Sequence, residues 1–243
     1  MIMPTQVQNA ERTYEIAFSA SEEKEGKKPI FITGGTGYIG SRLVEQLLQR
    51  KYRVTALVRK GSEHKVPAGA DVVTGNPFDA RTFAQHVPPK AIYIQLLGVS
   101  HPSPKKAKLF NEIDLKSVKA SVDAAANAHS SHFIYISVAM SPTSIMKAYQ
   151  DVRKQGEEYC LSKNLNCTFI RPWYVIGPGH WWPVLLFPFY GIAELIPSLR
   201  QKARASALVT ISQILNTLIK AVEEMPASRV VYEIRDIRRC RRK

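Results

Sequence analysis

Residues 29–58 constrain this chain more than any other stretch, reading PIFITGGTGYIGSRLVEQLLQRKYRVTALV. Residues 30–33 are a short apolar run with β-branched members, Gly34-Gly35-Thr36-Gly37 is a turn, and Ile39, Leu43, Leu47 and Leu48 then recur at helical spacing. A second apolar run follows over residues 53–58. The order is strand, glycine turn, helix, strand. A turn that feeds a helix from a buried strand aims backbone N–H groups and the positive helix end at one point, so an anion can sit there without a basic side chain. Gly34, Gly37 and Gly40 have the spacing G-x-x-G-x-x-G. Within a legible βαβ unit that spacing predicts a pyrophosphate site, hence a dinucleotide.

The second strand ends at Arg59-Lys60. An NAD-binding unit commonly carries an acid there for the adenine ribose hydroxyls, and a carboxylate would repel a 2′-phosphate that an arginine can grip bidentately. The pair therefore predicts NADP(H), with NAD(H) the lesser expectation.

Further apolar runs at residues 70–74, 91–97, 133–137 and 167–171 read as strands. Between them lie a short helix capped by Asp79 and running through Val87, a helix from residue 106 or 110 to 128, and a helix over 145–163. The apolar side of the longer first helix is expected at Leu109, Ile113, Val118 and Val122. Strands alternating with helices at this rhythm predict an α/β fold of the Rossmann type, a doubly wound parallel sheet, because parallel neighbours require a crossover. Residues 1–28 are expected to be a poorly ordered polar arm with one local element at 13–18. Residues 29–237 form a single domain, whose less regular part from about 173 onward is a small C-terminal appendage on the substrate side. That part holds an aromatic, proline-rich segment over 173–197, an extended run at 207–210, a helix over 212–224 and a strand at 230–234. Residues 181–190 are the most apolar stretch, but the prolines and Glu194 argue against a spanning helix. A buried lid or pocket wall is the first reading of it. Peripheral membrane contact and a subunit contact are the others.

Formal net charge is +14 over 243 residues. Residues 235–243 hold six basic side chains and one acidic one, and the basic tail proper is placed at 238–243. With no interleaved aromatics and no reading helix, the charge predicts weak phosphate attraction and no specific nucleic-acid site. Cys160, Cys167 and Cys240 show no C-x-x-C spacing, so neither a disulfide framework nor a metal site is suggested. No segment near the start has the make-up of a secretory signal, and a reducing, cytoplasmic setting is expected.

Residues 28–237 resemble the atypical, extended short-chain dehydrogenase/reductases, in particular the NAD(P)H-binding, NmrA-like and epimerase-like branch. The resemblance is carried by TGGTGYIG at 33–40, GNPFD at 75–79, IYIS at 134–137, Tyr149 with Glu157, and Arg171-Pro172 through Gly177-Pro178. It implies that Gly34, Gly37 and Gly40, with Thr36, Tyr38 and Ile39 of the same turn, meet the pyrophosphate. Asn76, followed by Pro77, would stand where an Asp usually binds the adenine amino group, and an amide oxygen can still accept that bond. Leu96, Leu97 and Gly98 would run past the adenine ribose and diphosphate, while Pro172, Trp173, Tyr174 and Val175 would close over the nicotinamide. Ser137 would orient a substrate oxygen and Tyr149 would serve as acid/base. In active members a lysine follows that tyrosine by four residues, holding the nicotinamide ribose and lowering the phenol pKa. This chain has Arg153. Lys154 and Lys147 lie about 100° on and 200° back around the helix, so neither replaces that lysine. Two functions are therefore expected as alternatives. One is an NADP(H)-dependent oxidoreductase acting on a small, hydrophobic carbonyl-type substrate, with Tyr149, Ser137 and Arg153 catalytic; the other is a catalytically silent NADP(H)-binding sensor or assembly subunit. Either would be a monomer or a homodimer.

Overall fold

In the computed structural model, residues 27–141, 146–179 and 208–240 are described. Seven strands form one parallel sheet in the order β3-β2-β1-β4-β5-β6-β9. They are β1 (Ile30–Thr33), β2 (Val54–Val58), β3 (Asp71–Thr74), β4 (Ile92–Gln95), β5 (His132–Ile136), β6 (Cys167–Ile170) and β9 (Val230–Tyr232). The order doubles back beside β1, and the strand ends nearest that reversal, at β1 and β4, open the crevice where doubly wound sheets bind ligands.

Residues alternate across this sheet by size as well as by face. Ile30, Ile32, Ile92, Ile94, Ile134 and Ile170 point to one side, where they meet Leu43, Val44 and Leu47 of helix α1 (Tyr38–Gln49). Phe31, Tyr93, Phe133, Tyr135 and Phe169 point to the other, against helix α2 (Lys116–Asn127) and helix α3 (Lys147–Ser162). Phe31, Tyr93 and Phe133 occupy one row of the register, Phe31 tilted against Tyr93 with ring centroids 5.2 Å apart and Tyr93 stacked on Phe133 at 5.3 Å. A sheet covered on both faces has no polar side to show, which explains why its strands read as continuous apolar runs. Each large side chain buried this way stabilises by about 1.5–3 kcal/mol.

The C-terminal part contributes a separate two-stranded parallel pair, β7 (Val175–Ile176) with β8 (Val209–Thr210), and helices α4 (Ile211–Glu224) and α5 (Ile234–Arg239). Thr210 and Gln213 close a capping box at the start of α4, whose Ile214, Leu215, Leu218 and Val222 complete the aliphatic face of the core. The last strand stops at Tyr232 and the chain turns into α5, so the basic stretch begins inside a helix. The predicted element at 13–18 and the apolar stretch at 181–190 lie outside the described residues.

Two predicted helices differ in form. The one after Asp79 is a pair of 3-10 turns, Ala80–Thr82 and Ala84–His86, joined at Phe83, whose φ of −146° breaks the helical run and whose ring is buried. Asp79 does cap the first of them, accepting from the Arg81 N–H at 3.1 Å. The helix expected from 106 or 110 is interrupted by a wide π turn, Phe110–Leu115, before α2. The extra residue of that turn rotates its inward face by one position. Phe110 and Asp114 are buried where Leu109 and Ile113 were expected, and Leu109 is exposed.

Candidate functional site

The turn that leaves β1 has a left-handed Gly34, φ 81°, and a side chain there would collide with the backbone of Leu96 and Leu97 beyond β4. A Cβ on Gly40 would strike the Gly34 carbonyl, so both glycines are required by close approach within the protein. Gly37 differs. It is the N-cap of α1, it is exposed, and a Cβ there would approach only the Gly34 oxygen, at 3.2 Å. No side chain caps α1 and no acid stands in its first turn. The helix end is thus left positive and its first N–H groups are open to an anion, which fits a pyrophosphate.

A cavity of about 350 Å³ begins at this turn and runs along the carboxyl ends of β1, β4 and β5. Gly34, Gly37, Tyr38, Ile39, Gly40, Leu96 and Gly98 line one side of it; Ser137, Tyr149, Arg153, Pro172, Trp173, Tyr174 and Val175 line the rest. Thr36 and Leu97 sit in the flanking backbone without lining it. Arg59 and Lys60 are exposed just beyond β2, clear of the cavity, and Pro77 is buried under the β3 turn. The Asn76 amide oxygen accepts from the Phe78 N–H at 3.1 Å, so one of its lone pairs is already engaged.

Ser137 follows β5, its backbone N–H held by the Ile170 carbonyl at 2.8 Å. Its hydroxyl is buried and has no hydrogen-bond partner among the described residues. A buried hydroxyl without a partner costs free energy unless a ligand completes it, and this one lines the cavity. Tyr149, in the first turn of α3, packs on Phe110 with centroids 4.8 Å apart. Burial pushes its phenol above the ordinary value, with the Arg153 charge pulling the other way, so at neutral pH it carries its proton.

Arg153 is 5% exposed. Its Nη2 meets Asp114 Oδ1 at 2.5 Å, and its Nη1 donates to the Ile136 carbonyl at 2.8 Å and to the Tyr135 hydroxyl at 3.3 Å. Burial opposes its charge, but the Tyr135 and Tyr149 oxygens and Asp114 outweigh that and hold it firmly protonated. Burial raises the Asp114 carboxyl, opposed by Arg153 and the Val99 N–H. Lys147 and Lys154 are exposed and paired with Asp151 and Glu158. Asp114 is absent from the sequence-based site. The available signal was an acid standing four residues from both Phe110 and Val118 on one helical stripe. Val99, His101, Pro102, Val138 and Met146 also line the cavity and were not anticipated.

A doubly wound sheet with an uncapped glycine-turn helix at its switch point defines a dinucleotide-binding protein of the Rossmann class. The sequence profile of the NAD(P)H-binding family matches residues 34–177, more than half of the chain, and the protein belongs to that family. A ceramide reductase of Caulobacter vibrioides is 26% identical over 181 residues, covering 74% of this chain and 56% of that protein. The chain therefore spans little more than half of that relative. Among solved structures, a UDP-galactose 4-epimerase superposes with a TM-score of 0.63 at 17% identity, covering 84% of this chain and 75% of the other. The WbmH enzyme of Bordetella bronchiseptica, in complex with NAD+, gives 0.62 at 17% identity over 85% and 75%. These likenesses show the fold, a Rossmann-type sheet that the chain shares with those two enzymes. Among the described residues no helix is long and apolar enough to cross a membrane.

Proposed function

We propose that the protein is an NADP(H)-dependent oxidoreductase that reduces a carbonyl group on a hydrophobic substrate. The observation that carries this reading is that one cavity joins the open glycine turn to the unpartnered Ser137 hydroxyl and the protonated Tyr149 phenol. Gly34, Gly37 and the free N–H groups of α1 would hold the pyrophosphate, and Arg59 and Lys60, exposed just beyond β2, would meet a 2′-phosphate. When bound, NADPH would supply the hydride that reduces the carbonyl carbon. Ser137 donates a hydrogen bond to the carbonyl oxygen and orients it, and Tyr149 gives that oxygen its proton and recovers one from solvent. Val99, Pro102, Val138, Met146 and Trp173 present an apolar surface to the remainder of the substrate. The ceramide reductase name of one relative supports a lipid carbonyl as the substrate class. The three cysteines are unpaired, with Cys160 and Cys167 buried, which suits a reducing compartment.

A second reading, a silent NADP(H)-binding protein, is favoured by one observation. Arg153 lines the cavity, but its charge is engaged by Asp114. Incubation of the purified protein with NADPH and a panel of carbonyl compounds, long-chain ketones included, separates the two when absorbance of the reduced nicotinamide is followed. Oxidation of NADPH that requires an acceptor supports the enzyme. Tight NADPH binding with no oxidation by any acceptor supports the silent binder.

A further inference from the structure

Arg153 stands one turn beyond Tyr149 on α3, yet its guanidinium is held within the protein. The contacts form an unbroken series. The Val99 N–H donates to Asp114 Oδ2 at 3.2 Å, Asp114 pairs with Arg153 at 2.5 Å, and Arg153 donates to the Ile136 carbonyl at 2.8 Å. Val99 lies in the segment leaving β4, and Ile136 ends β5, its neighbour in the sheet. These two segments line the cavity side by side, the second continuing directly into Ser137. Gly98 crosses the pair itself. A Cβ there would strike the guanidinium and lie 2.7 Å from the Asp114 carboxylate.

Taking two charges out of water costs several kcal/mol per ion, and packed apolar side chains would hold two segments together at least as firmly. What an ion pair adds is direction. The planar guanidinium serves a carboxylate, a carbonyl and a hydroxyl at fixed angles, and the π turn presents Asp114 at the one place where it meets both Arg153 and Val99.

We infer that Asp114 and Arg153 are a positioning pair, a polar tie that sets the path of the segment after β4 against the end of β5 and so places Ser137, and that Arg153 does not grip the nicotinamide ribose itself. Arg153 lines the cavity, but its Nη1 and Nη2 are committed to Ile136, Tyr135 and Asp114, so neither is spare for a ribose hydroxyl. The inference rests on the nucleotide site proposed above for one of its two readouts only.

The test uses the full chain and the variants Asp114→Asn, Arg153→Met, the two combined, and Arg153→Lys. Amide hydrogen exchange is followed in residues 96–102 and 135–139 without nucleotide, then NADPH affinity by fluorescence titration, with melting curves and circular dichroism as the check on folding. Each of the first two changes should speed exchange in both segments and weaken NADPH binding on the order of tenfold. The combined variant should be no worse than either alone, as expected of residues in contact. Arg153→Lys should restore only part, because an ammonium can reach Asp114 but cannot serve Ile136 and Tyr135 in the same plane. Should a single variant fail to fold, the combined one, with no buried charge, is compared with the unmutated protein on the same readouts and should show the same faster exchange. Unchanged exchange in folded variants overturns the inference. So does weaker NADPH binding in Arg153→Met with Asp114→Asn unaffected, since Arg153 would then be contacting the nucleotide. Exchange needs no nucleotide, so a protein that binds no NADPH would remove the functional reading and leave the tie open to this measurement.

Discussion

Between β1 and α1 the cavity is walled by three glycines and an uncapped helix end with Tyr38 and Ile39 beside them, whereas from β4 to α3 it is walled by the side chains of Ser137, Tyr149 and Arg153, backed by Asp114. The first region needs no particular side chain, only the absence of several. The second needs specific groups at specific angles, contributed by the π turn, β5 and α3. Backbone recognition suits an invariant group such as a pyrophosphate, because geometry common to every helix start does the binding. Side-chain recognition can be altered one residue at a time, which suits the part of the site that meets variable chemistry.

The sharpest way to break this division is Tyr149→Phe. Removing one hydroxyl from the side-chain region should lower turnover by about 10² to 10⁴ for loss of general acid catalysis, with NADPH affinity little changed. A reductase activity indifferent to the change, measured by steady-state kinetics, would deny Tyr149 the proton transfer. Gly37→Val addresses the backbone region. A branched side chain at the exposed N-cap would block the α1 N–H groups, and losing two charge-assisted hydrogen bonds of about 1.5–3 kcal/mol each should weaken NADPH on the order of 10²-fold or more. Circular dichroism should show the fold intact, since a Cβ at 37 meets only one oxygen. Undiminished affinity by calorimetry would move the cofactor elsewhere.

How far each region could be read in advance follows the same division. The glycine turn announces itself because an element made of backbone leaves its mark in local sequence: Gly34 for its left-handed φ, Gly40 for its close approach, apolar runs for the strands buried on both faces. Asp114 left no comparable mark. Its role depends on a π turn that shifts the inward stripe from Leu109 and Ile113 to Phe110 and Asp114, and on Arg153 arriving from a helix more than thirty residues on. Neither periodicity nor propensity reports such a meeting. Nor does local sequence report the break at Phe83, which divides the expected helix into two 3-10 turns.

A smaller effect should sharpen the picture at the adenosine end. Arg59→Ala should reduce the preference for NADPH over NADH by about tenfold, the scale of one charge-assisted hydrogen bond to a 2′-phosphate. Equal affinities for the two cofactors in the unmutated protein would end the NADP(H) assignment. A separate effect, on stability and not on binding, lies at the far end of β5. His132 is buried, its Nε2 2.9 Å from the Thr168 hydroxyl, and burial, helped by the Lys28 charge, lowers it to about 4. Protonation then favours the unfolded chain, so its contribution is full above the ordinary histidine pKa and is lost as pH falls from about 6.5 toward 4. Urea midpoints should drop over that window by the equivalent of about 3 kcal/mol, and His132→Gln should flatten the drop. A midpoint that His132→Gln leaves just as sensitive to pH would assign the acid lability to other groups.

The small β7–β8 pair has a consequence of another kind. Val175 and Ile176 lie hydrogen-bonded beside Val209 and Thr210, so the chain leaves the cavity wall and rejoins the fold at neighbouring points, directly ahead of the capped start of α4. Any excursion between two such points is closed at its base. Doubling its length would add only about 0.6 kcal/mol of closure entropy. A change of chain length between Ile176 and Val209 is therefore cheap for the rest of the fold, because the pair fixes both ends whatever lies between them.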